Sequence, residues 1–300
     1  MILFNAGVLI SFHEASSPYR QLNEREKFFR HANGMYLESY HYIHKDAAVR
    51  RIKNENTKVF LDSGAFSAFT QGVKIDISKY CDYCHKNKDI ILYPSVLDAI
   101  GDYRGTYHNQ MEMERQGVKP LPCYHYGEPP EVLEHYIANY PYITIGGMVP
   151  ISTPQLILWL DEIWERYLTH ADGTPKIKVH GFGLTSLPLM FRYPWYSVDS
   201  STWVQWAANG MILLPSKGGQ LDVSSKSSRR KVKGQHIDSV TPPQRLALEK
   251  EISSTGADPQ RLREFYYSRW AFNAWAFPEY VRLRMGDKSP TFTRQQPGIF

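Results

Sequence analysis

A chain of 300 residues is long enough to bury a large core, and one domain of roughly 250 residues with decorations is an ordinary outcome. Charged and apolar shares of 22% and 42% exclude a wholly disordered chain, and no run reaches the ~20 uninterrupted apolar residues of a membrane span. The net charge of +5 permits a polyanionic partner without requiring one, and three cysteines are too few for a disulfide scaffold, which points to a reducing, cytoplasmic setting.

The opening residues form an apolar run with no basic leader, so Ile2–Phe12 reads as a strand and not as an export signal. Short β-branched runs then recur, separated by polar stretches with helical spacing. Helices over Asn23–His31 and Ala47–Asn54 lead to strand Lys58–Asp62, and helix Ile77–Lys88 leads to strand Ile90–Leu97. Helix Tyr103–Gln116 precedes strand Pro120–Tyr126, and helix Pro130–Asn139 precedes strand Tyr142–Met148. Pro130 and Pro154 suit the first helical turn, where a missing N–H costs nothing. Helix Pro154–Tyr167, strand Ile177–Phe182 and helix Ser186–Phe191 follow, then strand Trp195–Asp199 and helix Thr202–Ala208. Met211–Pro215 is the eighth predicted strand, with helices near Pro243–Ile252 and Pro259–Ala276 behind it.

Eight strands alternating with helices predict a parallel (β/α)₈ TIM barrel, with a doubly wound open sheet as the competing architecture. The barrel is favoured because Asp62, Asp98, Gly146, Gly147, Gly181 and Asp199 all fall at or just past the carboxyl ends of their strands. In a barrel those ends converge on one mouth, where active sites are built. The whole chain then forms a single domain: a barrel over about 1–255, a basic loop over 216–236 and a C-terminal helical extension over about 256–300. The loop is rich in Ser, Gly, Lys and Arg; Lys226, Arg229, Arg230, Lys231 and Lys233 are its candidates for gripping phosphates, against the plainer reading of a solvated surface loop.

An aspartate before serine and glycine is often only a turn residue bonding its own backbone. Two of them, Asp62 in "KVFLDSGAF" and Asp199 in "WYSVDSSTW", both end apolar strands aimed at one mouth. Such a pair suits chemistry at an acetal-like carbon, where one carboxylate attacks and the other handles the leaving group's proton. The aromatic share of 14% provides rings that either stack on bases and sugars or fill the core.

"LDSGAF" (Leu61–Phe66), "VLDAIGD" (Val96–Asp102), "IGGM" (Ile145–Met148), "HGFGLT" (His180–Thr185) and "SVDSSTW" (Ser197–Trp203) occur in that order. Together they resemble the tRNA-guanine transglycosylase superfamily, most closely its compact phage-type branch, which exchanges guanine in DNA for a 7-deazaguanine. The resemblance implies that Asp199 is the nucleophile toward ribose C1′ and that Asp62 is the general acid/base for the departing and incoming bases. It implies that Asp98 reads the guanine edge, that Gly146, Gly147 and Met148 lie against the purine-like ring, and that His180 and Gly181 line the same pocket. His125 or Tyr126 stands near the family's pocket glutamine, a departure that leaves base recognition on that side open.

The family's tRNA-acting members commonly carry a structural zinc site after the catalytic aspartate; here no cysteine follows Cys123. Cys81, Cys84 and His85 have a chelating spacing but no clear second pair, so no zinc or other cofactor is expected. The partners implied are DNA and a free 7-deazaguanine base, with tRNA as the alternative acceptor. A glycoside hydrolase and a non-catalytic nucleic-acid-binding subunit are further alternatives; the first leaves Asp98 without a role, and retention of both aspartates speaks against the second. Gly146–Thr153 contains no carboxylate to meet an aminomethyl ammonium, so the neutral 7-cyano-7-deazaguanine is the expected incoming base.

Overall fold

The computed structural model describes residues 1–215, 218–230, 232, 234–286 and 291–294. These divide into two compact units: Met1–Ile10, Met35–Ser200 and Thr291–Arg294 in one, Ser11–Gly34 and Ser201–Gly286 in the other.

The first unit is an α/β fold on eight strands: β1 (Ile2–Ala6), β2 (Tyr36–Ser39), β3 (Val59–Asp62), β4 (Ile91–Pro94), β5 (Cys123–His125), β6 (Tyr142–Gly146), β7 (Lys178–Gly181) and β8 (Ser197–Ser200). They pair in parallel in the order β4-β3-β2-β1-β8-β7-β6-β5, without the reversal that defines a doubly wound sheet. The two end strands, β4 and β5, are consecutive in sequence. Just outside them Leu121 N–H donates to the Pro94 carbonyl at 2.8 Å, Val96 N–H donates to the Leu121 carbonyl at 3.0 Å, and Ser95 and Leu121 form a parallel bridge. Phe4, Leu37 and Phe60 from β1, β2 and β3 form a buried cluster, with Tyr93, Leu121 and Phe182 packed against it. Each fully buried side chain of that size contributes about 2–3 kcal/mol.

The number of strands matches the sequence expectation, but one member differs. Met211–Leu214 (β9) is a strand, yet it pairs antiparallel with β10 (Gly219–Asp222), outside the eight-stranded sheet. Its place is taken by β2, "YLES", whose central glutamate hides it from any hydropathy reading. Glu38 is buried there because Leu9 N–H donates to its Oε1 at 2.6 Å, so the carboxylate caps the short helix Val8–Ser11. The first strand is correspondingly shorter than Ile2–Phe12: it ends at Ala6, and Gly7, at φ +75°, turns the chain into that helix. Two helix boundaries follow from capping that the sequence carries. Asn23 accepts from Glu26 N–H at 2.9 Å while the Glu26 carboxylate accepts from Asn23 N–H, and Pro130 opens helix Pro130–Asn139.

In the second unit the C-terminal helices do not trail as an extension. Helix Tyr266–Met285 packs on Glu24–His31, with Phe29 against Phe272 and Trp275 at ring separations of 5.5 and 4.9 Å. Buried Asn273 accepts from Leu213 N–H at 3.1 Å and donates to the carbonyls of Trp203 and Met211, which pins the same helix to the hairpin. Among the described residues no helix is long and apolar enough to cross a membrane.

Candidate active site

Each strand of the parallel sheet delivers its last residues to the same end, and the chemistry-bearing side chains collect there. Asp62 is the final residue of β3, after the buried Val59, Phe60 and Leu61. The chain must bend sharply beyond it. Gly64, at φ +76°, makes that bend, and a Cβ there would lie 2.5 Å from Ser39 Oγ, so no other residue fits. Asp62 Oδ2 accepts from Gly64 N–H at 3.0 Å, so the carboxylate makes the local turn bond expected of any such aspartate. It does more than that. Withdrawal from water, then the charges of Asp98 and Asp199, push its carboxyl up to about 7. Three carboxylates remote in sequence thus act on one another in one unit.

Asp98 follows β4, and its Oδ1 lies 3.4 Å from His125 Nε2. That oxygen is buried and has no hydrogen-bond partner among the described residues, a state that costs about 1–3 kcal/mol unless a ligand donates to it. His125 ends β5, with its other nitrogen 2.7 Å from Glu128 Oε1. Burial works against a charge on His125, but its contacts with the Asp98 and Glu128 carboxylates outweigh it and raise the ring's pKa. Asp98, Cys123 and His125 also place one ligand-type atom each within 4.8 Å of one another. Burial pushes the Cys123 thiol up, which keeps it protonated and disfavours it as a metal ligand.

Gly146 and Gly147 end β6 as expected, but their missing side chains make room for protein. A Cβ on Gly146 would lie 3.0 Å from Cys123 Sγ and 3.2 Å from His125, and one on Gly147 would lie 3.1 Å from His125 Cβ and from the Tyr126 nitrogen. Met148 is buried beside them. Gly181 is small because the Trp195 ring packs 3.3 Å from where its Cβ would be, so its side-chain face meets the core.

Asp199, on β8, is buried, and among the described residues both of its hydrogen bonds fall on one oxygen. Oδ1 accepts from Gly183 N–H at 2.8 Å and lies 3.2 Å from His180 Nε2. His180, on β7, is walled by Phe60, Phe182 and Phe4, with ring centroids 4.4, 4.8 and 6.0 Å away. Burial lowers its pKa against the pull of Asp199, so the ring is neutral. Its Nδ1 lies 2.6 Å from Ser197 Oγ, which in turn lies 2.6 Å from the Tyr142 hydroxyl. Sequence reading missed Glu128, Ser197 and Tyr142. Ser197 was within reach of strand alternation, since it stands two residues before Asp199 on the same face and opposite His180 in register.

Exposed rings follow several strand ends: Tyr42 after β2, Phe66 and Phe69 after β3, and Tyr126 after β5, with Phe66 and Phe69 60% and 64% exposed. The His41 ring and the Tyr42 hydroxyl both contact the Gln71 side chain, which ties the segments after β2 and β3 together.

The basic segment lies in the second unit, and the placement argument for it no longer holds, because Met211–Leu214 is not a strand of the parallel sheet. Its arginines are engaged: Arg229 with Asp222 at 3.3 Å, and Arg230 with Asp238 at 2.8 Å. Asp238 also meets Arg245 and Arg263 at 3.2 and 2.7 Å, and these guanidinium groups hold its carboxyl well below the usual range. Lys226 is described; Lys231 and Lys233 lie outside the described residues. Cys81 and Cys84 are buried on helix Ile77–Lys86, their thiols pushed up to about 11 and about 12 by burial, and His85 contacts the Gln116 carbonyl at 2.8 Å.

No family model matches the chain, and no curated protein matches it.

Proposed function

We propose that the chain is a DNA-guanine transglycosylase on a closed (β/α)₈ barrel, exchanging guanine for a 7-deazaguanine through a covalent aspartyl-sugar intermediate. The hydrogen bonds joining Leu121 to Pro94 and Val96 support closure, since they tie the chain at the end of β4 to the segment just before β5. The observation that carries the chemistry is the carboxylate trio, within which Asp62 is pushed up to about 7. An acid of that strength holds a proton at neutral pH and gives it up readily, as a group serving first as acid and then as base must.

In the first half-reaction the Asp199 carboxylate forms a bond to C1′ as the bond to guanine breaks, and Asp62 gives its proton to the departing ring nitrogen. In the second, Asp62 takes the proton from the incoming base, whose nitrogen attacks C1′ and releases Asp199 as carboxylate. The cycle returns every proton. Asp98 supplies acceptors for the N1–H and amino group of guanine, and its unsatisfied Oδ1 supports that role. His125 beside it, 3.4 Å from Asp98 and 2.7 Å from Glu128, holds that carboxylate in place for the base. In a duplex C1′ and the base are covered, so the nucleotide must flip out or be single-stranded. The exposed rings of Phe66, Phe69, Tyr42 and Tyr126 supply stacking surfaces for what is displaced.

The structure adds a carboxylate near the glycine pair, Glu128, but His125 already neutralises it. The other Glu128 oxygen has no hydrogen-bond partner among the described residues, so the preference for the neutral nitrile base rests on His125 holding Glu128 as an ion pair. Competition between the 7-cyano and 7-aminomethyl bases for entry into guanine-containing DNA tests this point; preferential uptake of the aminomethyl base would overturn it. The reaction itself is tested by nucleoside mass analysis of DNA and tRNA from cells expressing the protein, together with adduct trapping. A DNA adduct that survives denaturing gels with the wild-type protein, forms far more slowly with Asp62→Asn and disappears with Asp199→Ala is expected. Deazaguanine found in tRNA alone would move the activity to RNA, and turnover by Asp199→Ala near the wild-type rate would remove the nucleophile assignment.

A further inference from the structure

We infer that Tyr142, Ser197 and His180 form a buried line of hydrogen-bond donors that holds Asp199 ionised and leaves Oδ2 as its attacking oxygen. What Oδ2 attacks rests on the transglycosylase reading; the direction of the donors does not.

The proton positions follow from counting. An ionised carboxylate only accepts, so the 3.2 Å contact to Asp199 Oδ1 requires a proton on His180 Nε2. His180 is enclosed by aromatic rings and neutral, so it has one N–H, and Nδ1 must accept. The donor to Nδ1 is then Ser197, whose single proton is committed, and Ser197 Oγ must accept from Tyr142 at 2.6 Å. Burial raises the Tyr142 hydroxyl far from ionisation, which suits it as the terminal donor. The opposite direction needs a proton on Asp199, because a bare Nε2 lone pair would otherwise face a carboxylate. Each contact therefore opposes protonation of the nucleophile. Gly183 N–H adds a second donor to the same oxygen, and Oδ2 receives none among the described residues. The charged neighbour acting the other way is Asp62, whose own rise records the repulsion. With two donors on Oδ1 and none on Oδ2, the carboxylate has one oxygen fixed by the protein and one free to form a bond.

These are positioning residues, and their signature differs from that of packing. His180→Phe suits the aromatic surroundings and removes the donor; it should lower the rate of adduct formation on a guanine-containing single strand about 100-fold, the scale of losing one preorganised donor. Ser197→Ala and Tyr142→Phe should lower it by successively less, with KM for the free base unchanged. In all three the acid limb of the pH–rate profile should move to higher pH, because Asp199 becomes easier to protonate. Ser197→Ala should add nothing in the His180→Phe background. Losses that multiply independently, or an unmoved acid limb, overturn the inference. Nitrogen-15 NMR of histidine-labelled wild-type protein, with His180 assigned by its absence in His180→Phe, gives a readout free of turnover. A neutral ring protonated at Nε2 from pH 5 to 9 is expected, and a proton on Nδ1 sinks the proposal. Finding that tautomer in a protein that exchanges no base would keep the donor array and overturn the reaction assigned to Asp199.

Discussion

Asp62 carries a conflict between stability and chemistry that can be measured. Its carboxyl is pushed from 3.8 to about 7, first by withdrawal from water and then by Asp98 and Asp199. Between those pH values the folded protein keeps a proton that the unfolded chain releases, so this group favours folding at low pH and the benefit is lost as pH rises toward 7. Asp62→Asn removes the ionisation. It should therefore stabilise the protein at pH 8, by at most about 4 kcal/mol, with the gain shrinking toward pH 4. Denaturant unfolding at pH 5 and pH 8 checks this, and equal effects at both would show that the carboxyl is not displaced. The same substitution should abolish turnover, because an amide neither gives nor takes the proton that moves with the base. Asp62 and Asp199 were legible in the sequence because each follows an apolar strand and precedes a small residue. Ser197 could be placed only as a strand-mate of Asp199, and Tyr142 not at all, since one hydroxyl among many acquires meaning only from the group facing it.

Short elements at the strand ends present the site to its substrate. Helix Ala65–Thr70 is too brief to be stable alone, and it buries Ala65 and Ala68 while leaving Phe66 and Phe69 in water. Large rings held there forgo burial worth roughly 2 kcal/mol each, which suits a surface that meets bases. Phe66→Ala with Phe69→Ala should weaken single-stranded DNA binding by about 1–3 kcal/mol for each stacked base, with little change in thermal stability. Unaltered affinity would return these rings to the ordinary apolar surface of a folded protein. The basic segment illustrates the reverse case. Its composition suggested free positive charge, but Arg229 and Arg230 are held by Asp222 and Asp238, acidic residues that composition counted separately. A run of charges along the chain does not disclose which of them are already paired.

At the scale of the whole molecule, local signals were reliable and partner choice was not. The periodicity and capping residues located helices such as Pro130–Asn139 and Thr202–Ala208 to the residue, because caps and first-turn prolines act within a few positions of themselves. The apolar runs marked strands correctly at Val59–Asp62, Tyr142–Gly146 and Met211–Leu214, because burial of a strand is written in its own side chains. Which strands pair is settled by backbone hydrogen bonds that any sequence can make, and there the reading failed. It placed Met211–Leu214 in the parallel sheet and passed over Tyr36–Ser39, whose buried glutamate accepts from Leu9 N–H, a residue far from it in sequence. The sequence by itself determined the α/β alternation and the two aspartates at strand ends, since both depend on neighbours along the chain. Only the tertiary structure decided that Asp98 and Asp199 raise the Asp62 carboxyl, that His125 lies between Asp98 and Glu128, and that His180 joins Asp199 to Ser197. Those effects depend on distances of a few ångströms between residues far apart in the chain, and electrostatic and hydrogen-bond energies fall away too steeply with distance to be read in one dimension.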